Sequence, residues 1–305
     1  EPDDTALTSG LNDLHFDNGR HTAGFDGESF WGHAVYLGTG RMARHEVIDL
    51  SYYERSPRFR ADNGFEPENN QRKIQFYAGY NLYPMGQIVH SLRPYLRAGR
   101  VWNFDKLIKE DYLSLEMDAH LTAQTNIHPA IFVNRENFRG VQFDNIWLFH
   151  LCGHSNFSRP LGISSAVNYG HQIARRESPP VLGKEFSFYL GGYIKPSKRL
   201  LIEPSFNYTR SNHIDTDNLL YETYTLRTHM RYQFNRELSF RLITQYNDFY
   251  RNWEIDPLIT YQLNPFTLLY AGSTHDLHDY DDYDNTGLKQ TSRQFFFKIQ
   301  YLIQM

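Results

Sequence analysis

One cysteine, Cys152, stands in 305 residues, which excludes an intramolecular disulfide framework and a cysteine-based zinc cluster. No apolar run approaches the roughly 20 residues that a membrane-spanning helix needs. The longest, such as Ile146 to Gly153, have the length of a strand. An excess of positive charge is missing too: 31 Lys and Arg stand against 35 Asp and Glu, a net charge of -4. That balance argues against a nucleic-acid partner, which calls for a basic stripe. The first residues lack the charged, apolar and cleavage regions of a secretory signal, so Glu1 is expected to begin a mature chain or a fragment of a longer one. A P-loop, a dinucleotide fingerprint and a Gly-x-Ser-x-Gly elbow are all absent.

Aromatic residues are plentiful. The chain holds 22 Phe, 22 Tyr and 4 Trp, 16% of all residues, while hydrophobic residues as a class reach only 40%. That is below the roughly 45–50% of ordinary globular domains, and the mean hydropathy is -0.60. Apolar side chains are therefore spread thinly over many short elements rather than gathered in one core.

The recurring period is two, and helical periodicity is nearly absent. At the C-terminus Phe295, Phe297, Ile299, Tyr301, Ile303 and Met305 alternate with a mainly polar set. Leu220, Tyr224, Leu226, Met230, Tyr232 and Phe234 share a face that Glu222 and Thr228 interrupt; Thr223, Thr225, Arg227, His229, Arg231 and Gln233 lie opposite. Leu113 to Leu121, Ile74 to Leu82, Phe186 to Ile194 and Leu238 to Tyr246 follow the same rule. About fourteen to sixteen such stretches of roughly 9–13 residues can be counted, long enough to cross a bilayer when tilted. The prediction is an all-β chain: an antiparallel transmembrane β-barrel of about 14–16 strands over residues 27–305, after an N-terminal segment, 1–26, that is the remnant of a longer chain.

Connections fall into two kinds. Gly38 to Gly40, Pro196-Ser197-Lys198, Asn235-Arg236 and Asn264-Pro265 read as tight turns. Glu54 to Arg72, Arg135 to Asn145, Ala174 to Lys184, Arg210 to Asn218 and Ser273 to Thr291 read as long polar loops. Short periplasmic turns alternating with long extracellular loops are a property of outer-membrane barrels. Trp31, Trp102, Trp147 and Trp253, with Tyr52, Tyr53, Tyr80 and Tyr83, sit near strand ends, where interfacial girdles form. Strand propensity alone also favours rings.

Several segments resemble a large bacterial family without an assigned activity, whose members join a family-9-like carbohydrate-binding module to a C-terminal outer-membrane β-barrel. The matching stretches are Phe25-Asp26-Gly27, the run from Ser56 to Pro67, Phe234 to Ser239 with Gln245 to Asp248, Asp256-Pro257-Leu258 leading to Tyr261, Asn264 to Thr267, and Ser292 to Lys298. Glu68 departs from the basic residue usual after the loop proline, the module itself does not precede the barrel, and the family's barrel region is longer. The resemblance implies the bacterial outer membrane, a porin-like barrel and carbohydrate among the solutes.

Three functions are compatible with such a chain: a channel for small polar solutes, the first choice; a non-enzymatic scaffold or anchor that seals around a protein partner in an envelope complex; and a barrel-embedded hydrolase. The expectation is not an enzyme, with outer-membrane lipid or lipopolysaccharide around it and no nucleic acid. Arg93, Arg97, Glu116, Asp118, His120, Arg227, His229, Arg231 and Arg241 are the candidate lumen-lining residues, since mixed charge along a pore tunes selectivity; the bland alternative is charges that pair and stiffen a sealed wall. No cofactor is expected apart from Ca²⁺, for which Asp276, Asp279, Asp281, Asp282 and Asp284 in the 275–285 loop are the candidate ligands, against a solvated acidic loop tip. His275 and His278 in that loop could serve acid–base work only by converging with a second loop such as Ile214 to Asp217. Arg100 and Pro204 sit oddly, the first on an apolar face, where it is expected to snorkel, the second inside a strand, where it marks a bulge or an unpaired site. Cys152 reads as a quiet strand residue.

Overall fold

A computed structural model of the chain describes residues 15–16, 19–22, 30–59, 69–282 and 285–302. Strands β1 (His15–Phe16) and β2 (His21–Thr22) form a small antiparallel pair. The rest is β3 (Ala34–Met42), β4 (Glu46–Arg55), β5 (Gln71–Tyr80), β6 (Val89–Trp102), β7 (Ile108–Leu121), β8 (Thr125–Phe138), β9 (Val141–Ser155) and β10 (Leu161–Ala174). They are followed by β11 (Val181–Ser197), β12 (Leu200–His213), β13 (Leu219–Gln233), β14 (Leu238–Asn247), β15 (Asn252–Asn264), β16 (Thr267–Asp282) and β17 (Asn285–Tyr301). These 15 strands lie in one sheet in strict chain order, from β3 to β17. Among the described residues there is no helix, and none is long and apolar enough to cross a membrane. Of the segment 1–26, only residues 15–16 and 19–22 are described.

The chain packs as two compact units. One comprises Glu1–Leu82, Arg93–Met117 and Ile131–Trp147; the other comprises Tyr83–Leu92, Asp118–Ala130 and Leu148–Met305. In the first, β3, β4 and β5 form an antiparallel meander. In the second, β9 to β17 do the same through eight successive ladders. Because side chains alternate across a strand and directly paired residues share a face, these registers assign every position to one of two faces.

The turns of the second unit fall at two edges, and those at the edge holding 175–180 and 214–218, the long-turn edge, are only slightly the longer as a set. At one edge of the meander the strands are joined by residues 156–160, 198–199, 234–237 and 265–266; at the opposite edge by 175–180, 214–218, 248–251 and 283–284. Two segments expected to be loops are strand instead. Arg135 to Asn145 is the end of β8 and the start of β9, joined at Arg139 and Gly140, whose φ values of 51° and 80° are those of a type I′ turn. Ser273 to Thr291 is the far half of β16 and β17. Gly38 to Gly40, expected as a turn, lies inside β3, and the chain reverses at residues 43–45. The acidic stretch is thus a continuation of the ladder, with Asp276 opposite Ser292 and Asp279 opposite Leu288.

Glycines on one face admit neighbouring tyrosines. A Cβ built on Gly191 would stand 2.3 Å from the Tyr189 hydroxyl, and one on Gly79 would stand 2.8 Å from that of Tyr77. Each ring lies along its own strand over the glycine two residues on, flat against the sheet. Pro204 sits in a lapse of the β11–β12 ladder, between the pairs Gly191–Ser205 and Ile194–Ile202, as suits a residue with no N–H to give.

Candidate functional site

The two faces differ in chemistry. On the first, large apolar side chains are exposed: Leu190, Phe186 and Ile194 on β11, Tyr224 and Leu226 on β13, Ile259 and Tyr261 on β15, Phe295, Phe297, Ile299 and Tyr301 on β17. In the first unit Ile48, Leu50, Ile74 and Phe76 do the same. A soluble sheet covers such a face. Here it carries the residues, and the length of about 9–11 per strand, that a bilayer accepts.

In each unit the apolar rows stop, at one edge, at charged side chains on the same face. Glu54 faces Arg72, Lys184 faces His171, Arg210 faces Glu222 and His275 faces Arg293. Asp111 receives both Arg100 (Nε to Oδ1, 2.6 Å) and Arg135 (Nε to Oδ2, 2.6 Å). So Arg100 ends in an ion pair on this face, and the guanidinium hydrogen bonds, Arg100's first, hold the Asp111 carboxyl below its ordinary range. The Glu54 carboxyl is lowered to about 2, chiefly by the Tyr52 hydroxyl that donates to it at 2.5 Å and then by His33; Arg72 adds to this at 2.9 Å. Just inside the charged row runs a row of rings. Tyr224 stands 5.6 Å from Tyr246, and Tyr246 5.1 Å from Trp253, centroid to centroid.

The opposite side of the strands is polar in each unit: Arg93, Arg97 and Glu116 lie on it in the first, and Asp118, His120, Arg227, His229, Arg231 and Arg241 in the second. In the first unit Glu116, whose side chain is 5% exposed, accepts from Ser114 at 2.6 Å and from Tyr95 at 2.9 Å. Arg97 approaches it at 3.8 Å, and the Arg93 and Arg97 guanidiniums each stand 5.8 Å from the Tyr95 ring. A buried carboxylate satisfied by hydroxyls and one cation is a built feature of the wall.

In the second unit a polar row crosses five strands. Asp118 on β7 pairs with His128 on β8 at 2.9 Å, and the His128 ring lies 5.8 Å from that of His150 on β9. His150 bonds Asn168 on β10 at 2.5 Å, which donates to Ser187 on β11 at 2.9 Å. Beside it His120 bonds Asn126, and Asn126 bonds His154 at 2.9 Å. Glu203 on β12 pairs with His229 on β13 at 2.9 Å. Tyr221 donates to Glu185 at 2.5 Å; burial first, then that carboxylate, pushes its hydroxyl up to about 12. Next to Tyr221, a cleft of about 520 Å³ opens between residues 174–177, β13 and β14, with Thr223, Thr225, Asn247 and Phe249 in its wall. Arg176 stands 5.3 Å over the Phe249 ring. From that cleft the polar side of β13 continues through Arg227 and His229 to Arg231, which faces Arg241 on β14.

Of the five acidic candidates, the side chains of Asp276 and Asp279 are described. Asp276 lies on the polar face and Asp279, three residues on, lies on the other. The side chains of Asp281 and Asp282, and all of Asp284, lie outside the described residues. Among the described residues, no group of three or more His, Cys, Asp or Glu side chains is gathered as a metal would require. Cys152 is a free, half-buried thiol on the polar side of β9.

The sequence expectations did not include His128, His150, Asn168, Ser187, Glu185 or Glu203. Each occupies an alternate position in its strand and was in principle legible from the period, but which strand stands beside which is needed before they join into rows. All-β, up-and-down and antiparallel, with a polar side and an exposed apolar side bounded by rings and charges, the chain has the fold class of a transmembrane β-barrel.

No family model matches the chain, and no curated protein is similar to it at a significant level. Among solved structures it is similar to the outer membrane channel DcaP of Acinetobacter baumannii, at 10% identity over 88% of this chain and 97% of that one, with a TM-score of 0.38. It is also similar to the CymD monoaromatic hydrocarbon channel, at 11% identity over 88% and 82%, with a TM-score of 0.29. A Pseudomonas aeruginosa FadL homologue gives 10% identity over 88% and 76%, with a TM-score of 0.28.

Proposed function

We propose that the protein is a channel in the bacterial outer membrane that passes small polar solutes. One observation carries the reading: the division of each strand between an exposed apolar side of bilayer length and a polar side with a run of charged and hydroxyl groups. Lipid supplies the cover for the first. Water and solute would wet the second, whose mixed carboxylates, imidazoles and guanidiniums suit polar rather than hydrocarbon cargo. The long-turn edge, with its rings and paired charges, would lie at the outer headgroups. Carbohydrate as the solute rests on the family resemblance alone, and the absence of enzymatic activity remains part of the proposal.

Planar-bilayer recording from the purified full chain tests it. Steady unitary current with ohmic behaviour is the expected result. Folded, detergent-stable protein that inserts and passes no current would sink the open-channel reading and leave a sealed anchor.

A further inference from the structure

We infer that Arg227, Arg231 and Arg241 form a binding site for an oxyanion, the carboxylate or phosphate group of a small solute, on the polar face of β13 and β14. The inference deepens the channel reading and rests on it for the solute's route, though not for the binding itself. Arg231 and Arg241 are direct cross-strand partners on one face, and Arg227 stands two positions along the same row, facing Gln245. Like charges placed directly opposite each other weaken a ladder, so the pair calls for a compensating negative charge.

No carboxylate of the wall comes within ion-pair distance of the pair: on β15, Asp256 faces Ile243 and Glu254 faces Gln245 rather than an arginine. Among the described residues none of the three arginines has an ion-pair partner, and the Nε of Arg241 is buried with no acceptor. Glu203 is engaged by His229, and the outer neighbours of the pair are apolar, Leu201 beside Arg231 and Leu258 beside Arg241. Buried donors are nearly always satisfied. The outer nitrogens of a guanidinium without a carboxylate partner offer parallel N–H groups, the arrangement that carboxylate and phosphate accept bidentately. The ligand is therefore a small anion arriving from water, and the row from the cleft down β13 is its approach.

The test reads binding and conduction separately, on the full chain. In detergent, inorganic phosphate is expected to raise the melting temperature in a saturable way, while chloride at matched ionic strength does not. Arg231→Gln removes one of two opposed charges, so it should melt no lower than wild type without phosphate. Its apparent phosphate affinity should fall about tenfold or more, the weight of one charge-assisted hydrogen bond. Arg241→Lys keeps the charge and loses the fork, and should retain part of the phosphate effect. In a bilayer under a salt gradient, wild type should prefer anions and Arg231→Gln should lose that preference. Phosphate and chloride acting alike, or variants binding phosphate as wild type does, would overturn the site and leave the channel standing. Phosphate stabilisation that depends on Arg231, with no current in any bilayer, would overturn the channel and leave the site.

Discussion

Replacing Leu190 by arginine separates a bilayer-facing sheet from a water-facing one. Leu190 is 40% exposed and sits at the centre of the run Phe186, Phe188, Leu190, Gly192, Ile194, between Ser165 and Phe206 on the neighbouring strands. In water, a substitution at so exposed a position costs within about 0.5 kcal/mol. At the middle of a bilayer, an arginine on the lipid side of a barrel costs about 2–4 kcal/mol, falling to about 0–1 near the interfaces. The predicted loss for Leu190→Arg is therefore about 3 kcal/mol, more than a hundredfold in the folded-to-unfolded ratio at about 1.4 kcal/mol per tenfold. Leu161→Arg, at the short-turn end of the adjoining strand on the same face, should lose no more than about 1 kcal/mol. The assay is reversible guanidinium unfolding from phospholipid vesicles, followed by tryptophan fluorescence. Equal, small losses at both positions would refute the assignment of this face to lipid.

Three more outcomes follow from the same geometry. Asp111→Asn removes the charge shared by Arg100 and Arg135, whose side chains are 50% and 44% exposed; the expected loss is about 1 kcal/mol at low salt and less at 1 M, and a salt-independent loss in the same vesicle titration would contradict a screened network. The Glu54 carboxyl is depressed in the folded chain, so its stabilising contribution is complete above the ordinary carboxylate range and fades as pH falls from about 4.5 towards about 2; Glu54→Gln should flatten the pH dependence of the unfolding midpoint over that window, and parallel curves would refute the attribution. Cys152, as the sole thiol, should take one membrane-impermeant charged methanethiosulfonate from the aqueous side and lower the unitary current, whereas labelling only by a lipid-soluble maleimide would put β9 the other way round.

Most of the strands were readable because an apolar side and a polar side impose a period of two, as in Phe295 to Tyr301 and in Thr223 to Gln233. Where strands run on past the charged row, both sides carry polar residues and the period fades. That is why Arg135 to Asn145 and Ser273 to Thr291 read as loops although their hydrogen bonding continues. The Arg139-Gly140 turn carries none of the Asn-Gly chemistry that flags a tight hairpin, and Gly38 and Gly40 imitate a turn while lying inside a strand. At the site, alternation sufficed to put each of the nine charged candidates on the polar side of its own strand. Partnership was not legible: Asp118 meets His128, and Arg231 meets Arg241, through registers that depend on turn lengths and bulges such as the one between Ser211 and Asn212. Asp276 and Asp279 fall on opposite sides for the same reason, since residues three apart in a strand cannot share one.

A sheet in which every strand pairs only with its predecessor and successor has a modular grammar. Excising one strand would reverse the direction of all that follow and bring their turns to the wrong edge. Excising a hairpin leaves direction and sidedness intact, and the newly adjacent strands meet with the same alternation they had before. Chains of this kind should therefore lengthen or shorten in steps of two strands. The arginine row, carried on the β13–β14 pair, would travel as a unit in any such duplication.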